Sequence, residues 1–151
     1  MRRRKHQRDL ICSFALSIFL LLPSVVFADD HGNTYSAATP ISTDGTLYDG
    51  EIEIGGDVDY FSFSAASGYR YVILTSQLVV LFDTFIHLYD TDGTTELASD
   101  DDSGQDLFSR IVWQANSPGT YYVRVKHFND TDTGTYNISI TGTRLAGICE
   151  P

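Results

Sequence analysis

The sequence predicts an all-β fold, a sandwich or barrel of seven or eight short strands, and three observations predict it. Apolar residues after Ala28 recur with period two. β-Branched and aromatic residues fill the runs between breaks of Gly, Asp, Asn and Ser. No segment of helix length after Ala28 carries a 3.6-residue period. Short strands at this spacing must pack in two layers or close on themselves to bury their apolar faces.

Ahead of the strands, Met1 to Ala28 follows a different logic. Five basic residues (Arg2, Arg3, Arg4, Lys5 and Arg8) precede the apolar run Leu10 to Leu22, and Pro23-Ser24-Val25-Val26-Phe27-Ala28 supplies small or apolar residues near a cut. That order is the one a secretory signal peptide uses, so residues 1–28 read as a signal peptide cleaved after Ala28, with the mature chain secreted or periplasmic. The apolar run is shorter than the ~20 residues needed to cross a bilayer, so no membrane span is expected once the signal is removed.

The strands follow in order. The first is expected around Thr46 to Ile54. In Tyr60-Phe61-Ser62-Phe63-Ser64 the phenylalanines share one face and the serines the other. Further strands are expected at Tyr69 to Gln77, Thr84 to Tyr89, Thr95 to Ala98 and Arg110 to Ala115. In Tyr121-Tyr122-Val123-Arg124-Val125-Lys126 the set Tyr121, Val123 and Val125 turns inward while Tyr122, Arg124 and Lys126 face water; Tyr136, Ile138 and Ile140 repeat the pattern. Gly55-Gly56, Ser67-Gly68, Asp92-Gly93, Ser103-Gly104, Pro118-Gly119 and Thr133-Gly134 mark the turns. Asp92-Gly93 suits a tight hairpin, where positive φ is needed. Residues 29–142 read as one domain and 143–151 as a C-terminal tail.

Charge and cysteine usage narrow the function. After Ala28, nineteen acidic side chains stand against five basic ones, a formal charge of −14. Such a surface repels phosphate, which argues against a nucleic-acid partner. Cys12 lies in the leader, so Cys149 has no intrachain partner in the mature chain and a disulfide framework is excluded. There is no Gly-x-Ser-x-Gly, no His-Glu-x-x-His and no Cys/His zinc spacing. His31, His87 and His127 are isolated, and His87, alternating with Phe85 and Tyr89, reads as a packed structural residue. Ser109-Arg110 with Asp106 can be drawn as part of a triad, but any secreted β-protein offers such trios. The chain reads as a non-enzyme.

The placed residues carry a family likeness. Asp29-Asp30-His31-Gly32-Asn33-Thr34, Ala37-Ala38-Thr39-Pro40-Ile41, Gly50-Glu51-Ile52, Gly56-Asp57-Val58-Asp59-Tyr60-Phe61-Ser62-Phe63, Ser67-Gly68, Ile86-His87-Leu88-Tyr89-Asp90, Ala98-Ser99-Asp100-Asp101-Asp102, Ser109-Arg110-Ile111, Gly119-Thr120-Tyr121-Tyr122-Val123-Arg124-Val125 and Gly134-Thr135-Tyr136 occur in an order that resembles the bacterial pre-peptidase C-terminal domain. The resemblance spans about Asp30 to Ile140. It implies a small secreted jelly-roll-like antiparallel β-sandwich of about eight strands, similar in fold to the collagen-binding domains of bacterial collagenases. The family's members are usually appended to peptidases; this sequence reads as the module without one, so a role as a catalytic domain's appendage is not carried over directly.

Two acidic groups are candidate Ca2+ sites, because a hard cation takes six to eight oxygens and clustered carboxylates repel one another without one. The resemblance implies the first, in which Asp30 and Asn33 of the N-terminal segment join Asp57 and Asp59 at a strand entrance. The Asp30-His31-Gly32 sequence departs from the family's usual glutamate there. The second joins Asp100, Asp101 and Asp102 to Asp106. Both groups also read as solvated acidic loops, the second as a hairpin tip that keeps strand edges apart. Asp90-x-Asp92-Gly93 opens like a calcium loop but lacks its twelfth-position glutamate, and the hairpin turn is the preferred reading.

Binding surfaces are the remaining place for function. Outward Tyr60 and Tyr122, with Tyr71 or Tyr69, can form an aromatic platform for a polysaccharide or an extended protein strand. Leu78-Val79-Val80-Leu81-Phe82 breaks alternation, which reads as a strand buried on both faces or, if exposed, as the best site for a protein partner. The reading preferred from the sequence is a secreted, calcium-stabilised accessory module that attaches to an extracellular protein or polysaccharide. A structural periplasmic or cell-surface subunit and a small secreted hydrolase are the alternatives.

Overall fold

The computed structural model describes residues 28–76 and 82–147. All but Ala28 of the signal peptide read at 1–28, all but Phe82 of the Leu78 to Phe82 segment, and Cys149 lie outside the described residues. Among the described residues no helix is long and apolar enough to cross a membrane.

Nine strands form two sheets among the described residues. They are β1 (Thr39–Pro40), β2 (Tyr48–Ile52), β3 (Asp59–Ala65), β4 (Tyr69–Ser76), β5 (Thr84–Tyr89), β6 (Glu96–Asp100), β7 (Arg110–Gln114), β8 (Gly119–His127) and β9 (Gly134–Arg144). One sheet has the order β1-β3-β8-β5-β6 and the other β2-β9-β4-β7. Every pair is antiparallel except β1 with β3. The chain changes sheet at nearly every connection, as expected of a jelly-roll-like sandwich; β5 and β6 are the described strands that follow one another within a sheet.

The alternation read from the sequence decides what lies between the layers. Phe61, Phe63, Ile86, Leu88, Val123 and Val125 project from the first sheet, and Ile73, Tyr136, Ile138 and Ile140 from the second; all are at most 2% exposed. Thr84–Tyr89 has the expected bounds, while β6 starts one residue later than expected and runs to Asp100. β9 continues through Arg144, which pairs with Tyr69, two residues past the expected domain boundary. The short β1 carries too little local pattern to be seen in the sequence; it is a strand because Thr39 and Pro40 lie beside Phe61 and Ser62.

Two local features differ from the sequence reading. The hairpin at Asp92-Gly93 is wider than a tight turn: the connection runs from Asp90 to Thr95, closed by Asp90 N donating to Thr95 O (2.9 Å) and Gly93 N to Asp90 O (2.8 Å). Asp92 accepts from the amides of Thr94 and Thr95, so only Gly93 needs the left-handed region (φ 71°). A Cβ at Gly93 would also lie 2.3 Å from the Tyr35 ring. Gly93→Ala is therefore expected to lower stability by about 1–2 kcal/mol in a urea titration; an unchanged midpoint would mean the turn relaxes freely. Secondly, the acidic stretch Asp100 to Asp106 is no hairpin tip. It links β6 to β7 across the two sheets.

Candidate functional site

The segment ahead of β1 is tied down across the ends of β2 and β3. Asp30 N donates to Glu53 Oε1 (2.9 Å), Glu51 N to Asp30 Oδ2 (3.1 Å), Val58 N to Asn33 Oδ1 (3.2 Å) and Tyr60 N to Gly32 O (3.1 Å). The His31 ring packs 4.5 Å from the Phe61 ring and reaches Thr39 Oγ1 and Asp49 O at 2.9 and 2.8 Å. These bonds bring carboxylates together. One oxygen each from Asp29, Asp57 and Asp59 lie within 4.8 Å of one another, and Asp29, Asp30 and Glu53 meet in the same way.

Asp59 is the centre of the group. It is 0% exposed, its Oδ2 accepts the Tyr136 hydroxyl at 2.5 Å, and its Oδ1 has no hydrogen-bond partner. Tyr136 reaches it because Gly50, its register partner on β2, has no side chain: a Cβ there would sit 2.4 Å from the ring's Cζ. Burial pushes the Asp59 carboxyl up to about 8. The Tyr136 hydrogen bond opposes that shift, and the charges of Asp30, Asp57 and Glu53 add to it. Burial likewise raises Asp30 and Asp57, and holds the Tyr136 hydroxyl well above its ordinary value. A buried carboxylate oxygen with no donor, facing other carboxylates, is costly unless the group takes up a proton, as the raised pKa favours, or a cation sits among them. An all-oxygen donor set suits a hard cation rather than a soft one.

Of the four residues named from the sequence, Asp57 and Asp59 converge and Asp30 joins through Asp29. Asn33 acts differently: its side chain accepts from Val58 N and donates to Asp29 Oδ2 at 3.2 Å, so it orients a carboxylate. Sequence reading missed Asp29 and Glu53. Alternation held the signal for Glu53, since Ile52 is 1% exposed and its neighbours Glu51 and Glu53 turn away from the core.

The second acidic group assembles otherwise than read. Asp100 Oδ2 accepts from Ser103 N and Arg110 N at 3.0 and 2.7 Å, closing the β6–β7 connection, and exposed Asp106 sits in the left-handed region (φ 59°). Asp101 and Asp102 instead meet Asp83, just ahead of β5. Burial first and neighbouring acids second raise the carboxyls of Asp83 and Asp101. Ser109, drawn from the sequence into a trio with Asp106, is 0% exposed and donates its hydroxyl to Thr84 O at 2.5 Å. It fastens β7 to β5.

Residues 57–127, from the entrance of β3 to the end of β8, match the family model of the bacterial pre-peptidase C-terminal domain. Over these residues the chain carries the signature of that domain. Among solved structures, the pre-peptidase C-terminal domain of collagenase from Bacillus anthracis is 24% identical, with 69% of this chain and 94% of that chain covered and a TM-score of 0.53. Aeromonas hydrophila PliG, a periplasmic lysozyme inhibitor of g-type lysozyme, is 9% identical, with 70% and 97% covered and the same TM-score of 0.53. At these identities the likeness concerns the fold. No curated protein matches the chain.

The outer face of the β1-β3-β8-β5-β6 sheet gathers aromatic side chains. Tyr60 opposes Arg124, Ser62 opposes Tyr122, and on the other flank of β8 Tyr122, Arg124 and Lys126 oppose Tyr89, His87 and Phe85. The Tyr60 and Tyr89 rings stack at 6.2 Å, those of Phe85 and His87 lie 4.4 Å apart, and Tyr35 meets Tyr122 edge-on at 5.6 Å. Arg124 and Lys126 lie 5.7 Å over the Tyr89 and Phe85 rings. His87 is buried here and bonded to Glu96 Oε2 at 2.9 Å, with burial holding its pKa down.

Tyr60 and Tyr122 thus share the face expected of them, but Tyr71 does not. It points inward from β4, is 2% exposed, packs 5.4 Å from Phe63, and its hydroxyl accepts from Ala66 N at 2.8 Å. Strand polarity is the reason: Tyr71 shares its face with Ile73 and Thr75, which fill the core. Phe82, the described end of the Leu78 to Phe82 segment, is 3% exposed and stacks on Tyr136 at 6.1 Å.

Proposed function

We propose that this chain works outside the cytoplasm as a non-catalytic binding module, attaching to an extracellular protein or polysaccharide through the outer face of its five-stranded sheet and stabilised by calcium at the Asp29/Asp57/Asp59 end. The observation that carries the reading is the half-buried set Tyr60, Tyr122 and Phe85 on that face, backed by the buried Tyr89 and His87 and crossed by Arg124 and Lys126. These are two of only five basic side chains after Ala28, placed on aromatic rings in an otherwise acidic chain. Rigid aromatics with few rotamers give contact area at low entropic cost, and guanidinium and ammonium groups add direction.

Asp29, Asp57 and Asp59 would hold the ion, with Asp30 and Glu53 beside them and Asn33 orienting Asp29. Asp59 Oδ1 supports this assignment, because it is buried without a donor. A bound divalent cation would supply charge neutralisation that fastens the N-terminal segment to β2 and β3; the protein's own contribution is the Tyr136 hydrogen bond and the hydrogen bonds that aim the carboxylates.

Retention of the purified chain on collagen fibrils and on insoluble polysaccharides, with and without chelator, tests the module. Replacing Tyr60 and Tyr122 together by Ala is expected to weaken retention about tenfold or more with little change in thermal midpoint, since both side chains are only partly buried. Undiminished retention would move the contact off this face. Turnover of a peptide or glycoside substrate by the pure chain would instead favour the hydrolase alternative.

A further inference from the structure

A second concavity lies away from the aromatic outer face, at the edge of the sandwich where β6 ends one sheet and β7 the other. It has a volume of about 370 Å³ and is lined by Trp113, Leu97 and Tyr121 with Asp90, Asn116 and Ser117 among the polar groups. That volume is in the range of small-ligand sites, and an apolar floor with a few placed polar groups is their usual composition.

We propose that this cleft binds one neutral pyranose unit of a polysaccharide. Trp113 supplies the floor. Its ring is half-buried and held from beneath by Tyr121 at 4.6 Å and Tyr71 at 6.0 Å, and Leu97, 37% exposed, extends the apolar surface. A sugar ring has one C–H face to lay on such a floor and hydroxyls around its rim.

The polar groups stand at that rim on fixed backbone. Asn116 O accepts from Ser67 Oγ (3.0 Å) and Ser117 O from the Tyr121 hydroxyl (3.1 Å), so these carbonyls are spent on anchoring the loop between β7 and β8. Asp90 Oδ1 accepts from Thr91 N at 2.7 Å, which fixes the carboxylate and leaves its second oxygen as an acceptor for a sugar hydroxyl. Prior fixing of the donors and acceptors reduces what a ligand must order on binding.

Asp90 is the charged side chain in the lining, and no cation accompanies it. Uronic acids and sulfated sugars are therefore disfavoured against neutral ones. A quaternary amine would need several open aromatic faces, whereas Tyr121 is 4% exposed and leaves Trp113 as the open ring.

The sequence contains a single tryptophan, so Trp113 emission reports on this cleft alone. The full chain is titrated with maltotriose, cellotriose, xylotriose and tri-N-acetylchitotriose, with choline and a trigalacturonate as charged controls. A saturable change with at least one neutral trisaccharide is expected, weakened at least tenfold in Asp90→Ala and unchanged in Leu47→Ala, an exposed control elsewhere. Asp90→Asn, which keeps shape, guards against loss through misfolding and should weaken binding with an unaltered thermal midpoint.

Silence toward all four neutral sugars, a response to choline or trigalacturonate alone, or a response that survives Asp90→Ala would overturn the proposal. The cleft extends the polysaccharide arm of the proposed function but does not use the outer face. A silent Trp113 with retention still dependent on Tyr60 and Tyr122 removes the cleft alone; a responding Trp113 with retention indifferent to those tyrosines removes the outer face alone.

Discussion

Asp59→Asn is expected to abolish most of the thermal stabilisation that calcium gives the wild-type chain. A ligand held at a thousand times its Kd stabilises the folded state by about 4 kcal/mol, which on a domain of this size is on the order of 10 °C. The substitution removes the innermost carboxylate while an amide of the same shape can still accept from the Tyr136 hydroxyl. In chelator the sign differs. Burial drives the Asp59 pKa up to about 8, against roughly 3.9 in an unfolded chain. The folded state therefore holds a proton that the unfolded state has released across the window between those values.

The stabilising contribution is present in full below about pH 4 and is lost as the pH rises through about 8, because the unfolded state binds fewer protons there. At about 1.4 kcal/mol per unit, the metal-free wild type loses several kcal/mol over this interval. Asp59→Asn has nothing to titrate at this position and should lack that slope, so at pH 8 to 9 in chelator it is expected to be at least as stable as wild type. Calcium requires the ionised carboxylate, so its affinity should climb through the same pH window with release of a proton. Thermal unfolding at pH 5, 7 and 9, with calcium or with chelator, measures each part. Equal destabilisation in calcium and in chelator would reduce Asp59 to a hydrogen-bond acceptor for Tyr136 and remove the ion from the account.

Phe61→Ala is expected to lower stability by about 3–5 kcal/mol, a large share of the ~5–15 kcal/mol typical of a domain. The ring is 0% exposed and touches both halves of the structure: His31 of the N-terminal segment at 4.5 Å and Tyr136 of the opposite sheet at 6.5 Å. Its loss leaves a cavity beneath the very residue that donates to Asp59. The effect should thus appear twice, as a lower urea midpoint and as weaker calcium binding in the fraction that remains folded. Phe61→Leu keeps much of the volume and should recover at least half of the stability. A cost below about 1 kcal/mol for Phe61→Ala would show that the sheets can close over the gap.

The core was legible wherever a single strand carried its own pattern. Tyr121, Val123 and Val125, or Tyr136, Ile138 and Ile140, alternate strictly, and a period of two fixes which side chains share a face whatever lies next to the strand. Tyr71 shows the limit of that reading. Its alternation with Ile73 was visible, but the choice of the tyrosine as an outward ligand residue ignored that the same face had to supply the core. The acidic site was legible only in part. Asp57 and Asp59 are two apart on one extended segment, so the sequence alone puts them on one side. Asp29 and Glu53 come from other segments and reach the group through the bonds from Asp30 N to Glu53 and from Glu51 N to Asp30.

The amino-acid sequence by itself determined the strands after β1, most of their inward faces and the excess of negative charge, because each is a property of neighbouring residues. Tertiary structure alone decided that β1 is a strand, that Asp83 rather than Asp106 meets Asp101 and Asp102, and that Trp113 forms the floor of a cleft between sheet edges. These depend on pairings between residues far apart in the chain, whose choice is settled by the closure of many loops at once and leaves little trace in any local period.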